Sequence, residues 1–488
     1  MNSLRLKYTL RPLAIVVMAI SLGACTLGPD YQRPELPIAT EFKQAEGWKA
    51  ATPADALQRG DWWALYGDTE LNALVARLNV SNQNLAAAEA QYRQARALVR
   101  GARSQLFPAV GASGGVSRGG QGSSASGSYF QGGSTGSGVS ESYEVGLDAS
   151  WELDIWGRLR RNLEANRANM QASAADLAAV RLSLQSELVQ TYLQLRVMDE
   201  QQRLLDQTVE AFARSLRLTE NQYQAGIVPK SDVSQALTQL KSTQAQAIDL
   251  RWQRAQMEHA IAVLIGVPPS ELDIAKRGDI PRLPEVPLAL PSQLLERRPD
   301  VASAERQVMA ANAQIGVAEA AWYPDLTLSA SGGYRNSSFS DLISLPNRFW
   351  SLGPQLAVTL LDFGSRRAEL EAAEASYDQT VATYRQTVLD SFREVEDNLV
   401  QLRVLAEEAV VQREALEAAQ ESLRLIENQY RAGTVDFLSV ATVQTTALNN
   451  ERTNLALLGD RLTASVQLIA ALGGGWDIER LEYEPGLQ

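Results

Sequence analysis

The chain has 488 residues and a formal net charge of −12. An acidic surface repels phosphate backbones, which excludes nucleic acid as a favoured partner. One cysteine, Cys25, and one histidine, His259, rule out an internal disulfide and a Cys/His metal site of the usual kind.

The first 24 residues read as a signal peptide. Arg5, Lys7 and Arg11 precede an apolar run from Leu13 to Leu22, followed by Gly23, Ala24 and Cys25. Such a run is shorter than the roughly 20 residues that span a bilayer as a helix. Leu22-Gly-Ala-Cys25 resembles a bacterial lipobox, in which the cysteine is lipidated and becomes the first mature residue. Thr26 follows; a residue other than Asp there directs a lipoprotein to the outer membrane. Several acyl chains together, at about 0.8 kcal/mol per buried CH₂, anchor firmly. Residues 25–66 read as an extended segment behind that anchor.

Residues 67–266 begin with helical sequence and then change character. Val110–Ser117 and Ser142–Leu153 have strand character, and between them the Gly/Ser-rich run Gly119–Gly138 reads as an exposed loop. In the second strand Tyr143, Val145, Leu147, Ala149, Trp151 and Leu153 alternate with polar residues. That is the length and period of a transmembrane β-strand with one lipid face and one wet face. Residues 158–225 then contain neither Gly nor Pro, enough for a helix of about 100 Å. Leu188, Tyr192, Leu195, Leu205, Val209, Phe212 and Leu216 place an apolar stripe along it. Gly226 closes its end, and a return helix over 231–265 completes a hairpin.

A Pro-rich linker, 267–298, leads to a second copy over 299–473 and a tail over 474–488. Strands recur at Asp325–Tyr334 and Leu352–Leu361, with the first pair spanning about 108–153 and the second about 324–362. A long helix follows at 365–432 and a return helix at 435–472. The chain is a duplication: Ser215–Val228 and Ser422–Val435 agree at 11 of 14 positions at an offset of 207. Upstream the offset is 216, so the difference in length falls in the Gly/Ser-rich loop.

Four strands cannot seal a barrel, and open strand edges are not tolerated in lipid. The chain must assemble with copies of itself. Two copies would supply eight strands and three would supply twelve; closure alone does not choose. The fold class is therefore mostly α with a membrane β-barrel. No nucleophile–base constellation and no phosphate loop appears, and no enzymatic activity is expected; His259 reads as a surface residue on a helix.

Taken together, these features resemble the TolC-type outer-membrane efflux proteins, in their lipoprotein (NodT/OprM-like) branch, over nearly the whole chain. The marks are Cys25-Thr-Leu-Gly-Pro-Asp-Tyr-Gln-Arg-Pro34, Trp62-Trp63 with Tyr66-Gly67-Asp68, the paired Tyr-x-Ala-Gly turns, and Trp322-Tyr-Pro-Asp325. The resemblance implies a homotrimer with a twelve-stranded transmembrane β-barrel, and an α-barrel of duplicated helical hairpins crossing the periplasm. It implies a periplasmic membrane-fusion adaptor and an inner-membrane efflux pump as partners, with outer-membrane lipid around the barrel. It implies a passive exit for drugs, solvents or other small toxic compounds, hence antibiotic resistance, with no cofactor beyond the lipid on Cys25. The exit duct of a type I-like protein-secretion system is an alternative. A lipid-anchored coiled-coil scaffold without a pore is another, and the alternating strands argue against it.

Site residues follow from strand alternation and from the resemblance. Glu144, Asp148 and Glu152, with Asp325 and Thr327, are expected to face the membrane pore, where carboxylates enrich cations. The resemblance places adaptor docking at the hairpin tips, Tyr223, Gly226, Tyr430 and Gly433. It places the periplasmic gate just beyond, at Leu438, Ser439, Thr442 and Asp232. Ser439 and Thr442 stand where family members often carry acids, which weakens the expectation of an acidic entrance. Leu438 is expected to close the hole against its symmetry mates.

Overall fold

The structure, a computed structural model, describes residues 26–35, 43, 61–120, 139–284 and 298–476. The signal peptide, Cys25, most of the Gly/Ser-rich run, linker residues 285–297 and the tail beyond Trp476 lie outside the described residues. The chain forms two compact units. The first comprises Met1–Pro34, Arg93–Met170 and Arg306–Ala382, and the second comprises Glu35–Tyr92, Gln171–Glu305 and Thr383–Gln488.

Each unit therefore draws on both copies of the duplication. The expected division into repeats at 67–266 and 299–473 describes the ancestry of the sequence, not its compact bodies. The reason is length: a helix of nearly 70 residues cannot be folded into one body, so each copy contributes to both.

The elements run in chain order. Helices α1 (Thr69–Ser81) and α2 (Gln83–Ser104) precede strands β1 (Ala109–Gly120) and β2 (Val139–Glu152). Then come α3 (Arg158–Gln224) and α4 (Lys230–Leu264). The second copy supplies α5 (Pro299–Ala320), β3 (Asp325–Asn336), β4 (Arg348–Ala357), α6 (Ser365–Arg431) and α7 (Phe437–Ala471).

In the first unit the four strands form one antiparallel sheet in the order β1-β2-β3-β4. Residues opposite one another share a face, so the register sorts the side chains. One face carries Glu144, Asp148, Ser150, Glu152, Thr327, Ser329, Ser331 and Gln355. The other carries Val110, Val116, Val145, Leu147, Leu328, Trp350, Leu352 and Leu356. On that apolar face Leu147, Trp350, Leu352 and Leu356 are each more than 60% exposed. Soluble proteins do not leave a continuous apolar sheet face in water.

The last strand corrects an expectation. It spans Arg348–Ala357 rather than Leu352–Leu361. Ala357 pairs with Asp325, the first residue of β3 after Pro324, so residues 358–361 have no strand opposite them. Pro354 lies within β4, the last strand of this sheet, and stands opposite Leu328 of β3.

In the second unit the core is apolar and helical. Residues Trp62–Tyr66 form a 3-10 turn whose rings are buried among Leu71, Leu78, Leu188, Leu195, Ile261, Leu462 and Leu468. The expected extended segment 25–66 thus ends inside a core. The Tyr66 hydroxyl lies 2.7 Å from Ser465 Oγ. Asp68 caps α1, accepting from the backbone of Glu70 and Leu71, and also accepts from the Tyr192 hydroxyl at 2.8 Å. The Trp-Trp/Tyr-Gly-Asp motif is accordingly a packing and capping device.

Below that core lies a buried charge network. Arg196, fully buried, bonds Asp199 at 2.9 Å, Glu70 at 2.6 Å and the Ala275 carbonyl at 2.8 Å. Arg254 bonds the other Asp199 oxygen at 2.6 Å and the Ile274 carbonyl at 2.7 Å. Two arginines sharing one carboxylate fasten the segment after α4 to the helix pair.

Candidate functional site

Five sequence-predicted residues, Glu144, Asp148, Glu152, Asp325 and Thr327, stand on one face of the sheet. Their environments differ. Glu144 sits opposite Arg335, whose guanidinium reaches it at 2.7 and 3.0 Å and lies over the Phe349 ring. Glu152 holds Arg158 at 2.7 Å through each oxygen. Asp148 and Asp325 are exposed, and no side-chain partner reaches either among the described residues. The Asp148 carboxylate rests over Gly111, where a Cβ would meet it at about 3 Å. Thr327 pairs in register with Glu152 and Gln355. The net negative charge of this face thus resides in Asp148 and Asp325. Arg335 escapes a reading of single strands, because the alternation within β2 says nothing of what β3 sets opposite it, and Arg158 escapes it because it stands at the start of α3.

Both hairpin tips turn in the same way. Gly226 and Gly433 each adopt φ +75°, and each donates its N–H to the carbonyl three residues back, Tyr223 or Tyr430. The next N–H reaches the carbonyl five back, from Ile227 to Gln222 and from Thr434 to Gln429. These bonds satisfy carbonyls left over at the helix end, and the left-handed conformation they need favours glycine.

The tyrosines of the two turns part company. Tyr223 is 44% exposed, whereas Tyr430 is buried to 6%. Tyr430 packs with Phe212, Leu216, Leu240, Phe437 and Val440, edge-on to the Phe437 ring. Its hydroxyl donates to Gln222 Oε1 at 2.7 Å and lies 3.2 Å from Thr219 Oγ1. Burial pushes its pKa up, Thr219 opposes this, and the charge of Asp232 adds to it. Of the two tip tyrosines, Tyr430 thus turns its ring into the core of the tip.

The residues beyond Gly433 are also placed. Leu438 is 54% exposed. Ser439 belongs to a helix cap: Asp436 Oδ1 accepts its N–H at 3.0 Å and its hydroxyl at 2.6 Å. The Ser439 hydroxyl, helped by its N–H, holds the Asp436 carboxyl below the usual carboxylate range. Thr442 donates to the Leu438 carbonyl within its own helix. Asp232 lies in the first turn of α4 and accepts from the Ser231 hydroxyl at 3.2 Å. Two polar groups expected at the gate are thus already engaged by α7 itself, and Asp436 is the acid at that helix start.

The segment after Cys25 is tightly held within the first unit. Arg161 donates to the Leu27 carbonyl at 3.0 Å, the Gly28 carbonyl at 3.1 Å and Asp30 at 2.9 Å. Asn312 donates to the Pro29 carbonyl at 2.8 Å. Gly28, at φ +88°, lies directly on Gly316 of α5, and a Cβ on either would overlap the other segment. Thr26 lies against Gly157, between β2 and α3. This accounts for the Thr-Leu-Gly-Pro-Asp motif: it straps the chain following Cys25 to the foot of the sheet.

An amphipathic open sheet, followed in each copy by a long helical hairpin, defines a subunit of an outer-membrane channel. The sequence profile of the family described as outer membrane efflux protein matches residues 74–267 and 290–474, and the chain belongs to that family. It is 32% identical, over 95% of both chains, to the toluene efflux pump outer membrane protein TtgC of Pseudomonas putida. It is 33% identical to the pyoverdine export outer membrane protein OpmQ of Pseudomonas aeruginosa, over 97% of this chain and 98% of the relative. Among solved structures, the outer-membrane channel OprN superposes with a TM-score of 0.84 at 32% identity, covering 93% of this chain and 100% of its own.

Proposed function

We propose that three copies of this chain close one barrel and form the passive outer-membrane exit of a tripartite efflux system. A periplasmic adaptor would open it and an inner-membrane pump would drive it. The observation that carries this reading is the sheet: an apolar face left exposed, a polar face opposite, and two unpaired edges in β1 and β4. In hydrocarbon each unpaired backbone group costs several kcal/mol, so an open edge of ten or more residues is untenable. Pairing β4 of one copy with β1 of the next removes both edges at once. Three copies give the twelve strands that the resemblance implies.

Transport needs no chemistry from this chain. The polar face supplies a wetted wall, and the helical hairpins carry the tips that a periplasmic partner would contact. Relatives named for toluene and pyoverdine export suggest small organic compounds as cargo, chosen by the pump. The lipid on Cys25 would anchor each copy from the periplasmic side. Deleting the gene and profiling susceptibility to solvents, antibiotics and metal ions tests the role. Increased susceptibility, restored by the wild-type gene, is the expected result. An unchanged profile together with a lost secreted protein would overturn it in favour of a secretion duct.

A further inference from the structure

We infer that the lipid-facing side of the sheet carries a binding site for a phosphate-bearing lipid of the outer leaflet, built around Arg348. The apolar face has a groove of about 940 Å³ where side chains are missing. Gly332 of β3 forms its floor between Leu147 and Trp350, with Tyr334 and Arg348 in the next row, and Val145 and Leu147 separate this strip from Ala112 and Gly114 on β1. A glycine floor between the large side chains of Leu147 and Trp350 accommodates an extended hydrocarbon chain.

The charge at the rim selects the head group. Arg348 is exposed and shares its register row with Tyr334, Val145 and Gly114, none of them charged. No carboxylate among the described residues reaches it. The nearest acid in register on that face is Glu141, which is taken by Arg118 at 3.4 Å. An arginine free of protein acids presents a planar fork suited to two phosphate oxygens.

Depth agrees with this reading. Leu356, at the opposite end of the apolar face, lies eight residue steps along β4 from Arg348. At about 3.3 Å per residue and a tilt of about 40°, that is roughly 20 Å of an apolar band about 25 Å tall. The guanidinium therefore lies just inside the far interface and extends to the head groups. The strap at Thr26–Asp30 lies at the other end of the sheet, which puts Arg348 on the outer-leaflet side. An arginine held at mid-bilayer would instead carry a desolvation cost without return.

The inference rests on the apolar face meeting lipid, so the test reads only assembled channels. Full-length acylated protein is placed in phosphatidylcholine nanodiscs containing a little spin-labelled phosphatidic acid, or spin-labelled diacylglycerol with the same chains. Channel conductance is checked on the same preparations. Wild type is expected to immobilise phosphatidic acid but not diacylglycerol. Arg348→Gln is expected to weaken this about tenfold, Arg348→Lys less, and Arg118→Gln not at all. Gly332→Leu, which fills the groove and keeps the charge, should also weaken it, so the site stays testable if Arg348→Gln assembles poorly. Equal immobilisation of both lipids, or no change in Arg348→Gln and Gly332→Leu channels of normal conductance, would overturn the site. Displacement of the labelled lipid by millimolar inorganic phosphate alone would also overturn it, showing that the groove adds nothing.

Discussion

Replacing Phe437 with alanine should loosen the hairpin tips and leave the rest of the helical unit intact. Phe437 is 1% exposed and sits in a small cluster with Phe212, Leu216, Ala236, Leu240, Tyr430, Val440 and Ala441. Phe→Ala in a core costs about 3–5 kcal/mol. A small cluster near helix ends can partly collapse, so the low end, about 3 kcal/mol, applies. The edge-on contact with Tyr430, worth about 0.5–1.5 kcal/mol, is contained in that figure. At about 1.4 kcal/mol per tenfold, local opening rises by about two orders of magnitude. Hydrogen exchange on the assembled protein, read on peptides within 209–241 and 426–445, measures it directly. Peptides around Tyr192 and Leu468, in the separate main core, should not change. Leu438→Ala is the control: its half-exposed side chain contributes about 1 kcal/mol or less, so exchange should rise less than tenfold. Unaltered tip exchange in Phe437→Ala, or a uniform rise through the main core, would refute the argument that this cluster holds the tips.

Other outcomes follow from the same geometry. Asp199→Ala leaves Arg196 and Arg254 buried without their shared carboxylate; a loss of about 3–5 kcal/mol is expected, read as a lower unfolding midpoint and faster exchange at 272–278. Asp148→Asn should lower cation preference about twofold by reversal potential in a salt gradient, while Glu144→Gln with Arg335→Gln, which removes a matched pair, should leave it unchanged. The Asp436 carboxyl is held low, so its cap stabilises α7 above the ordinary carboxylate range and is lost as pH falls through the lowered value. Exchange at 437–441 should therefore rise on acidification in wild type, and an identical rise in Asp436→Ala would contradict that role.

Much of the architecture is legible in the chain because its signals are long. A run without Gly or Pro bounded by glycines marks α3 and α6 to within a residue, and strict alternation marks β2 and the polar face of β3. What escapes is pairing. The ion pair of Glu144 with Arg335 depends on the β2–β3 register, which joins residues 191 apart in sequence. The start of β4 is hidden because Gly353 and Pro354 interrupt its pattern, and its end is decided by where β3 begins. The tips are the subtlest case. The turn motif is the same in both copies, yet one tyrosine is buried and the other is not. The cause lies four residues past each turn glycine, where the second copy has Phe437 and the first has Lys230. Comparing the copies position by position, rather than only where they agree, would have separated Tyr223 from Tyr430. Likewise Asp436 caps α7 where the first copy has Pro229, so the two hairpins begin their return helices by different means.

Single-channel recording from the purified, acylated protein in planar bilayers, with particle mass determined on the same preparation, bears most directly on the shared barrel. Three chains per particle, and a small current with a cation preference that rises in Leu438→Ala, are the expected result. Particles of one chain that carry no current would contradict it, because an isolated sheet with two bare edges could not then be a wall of a pore.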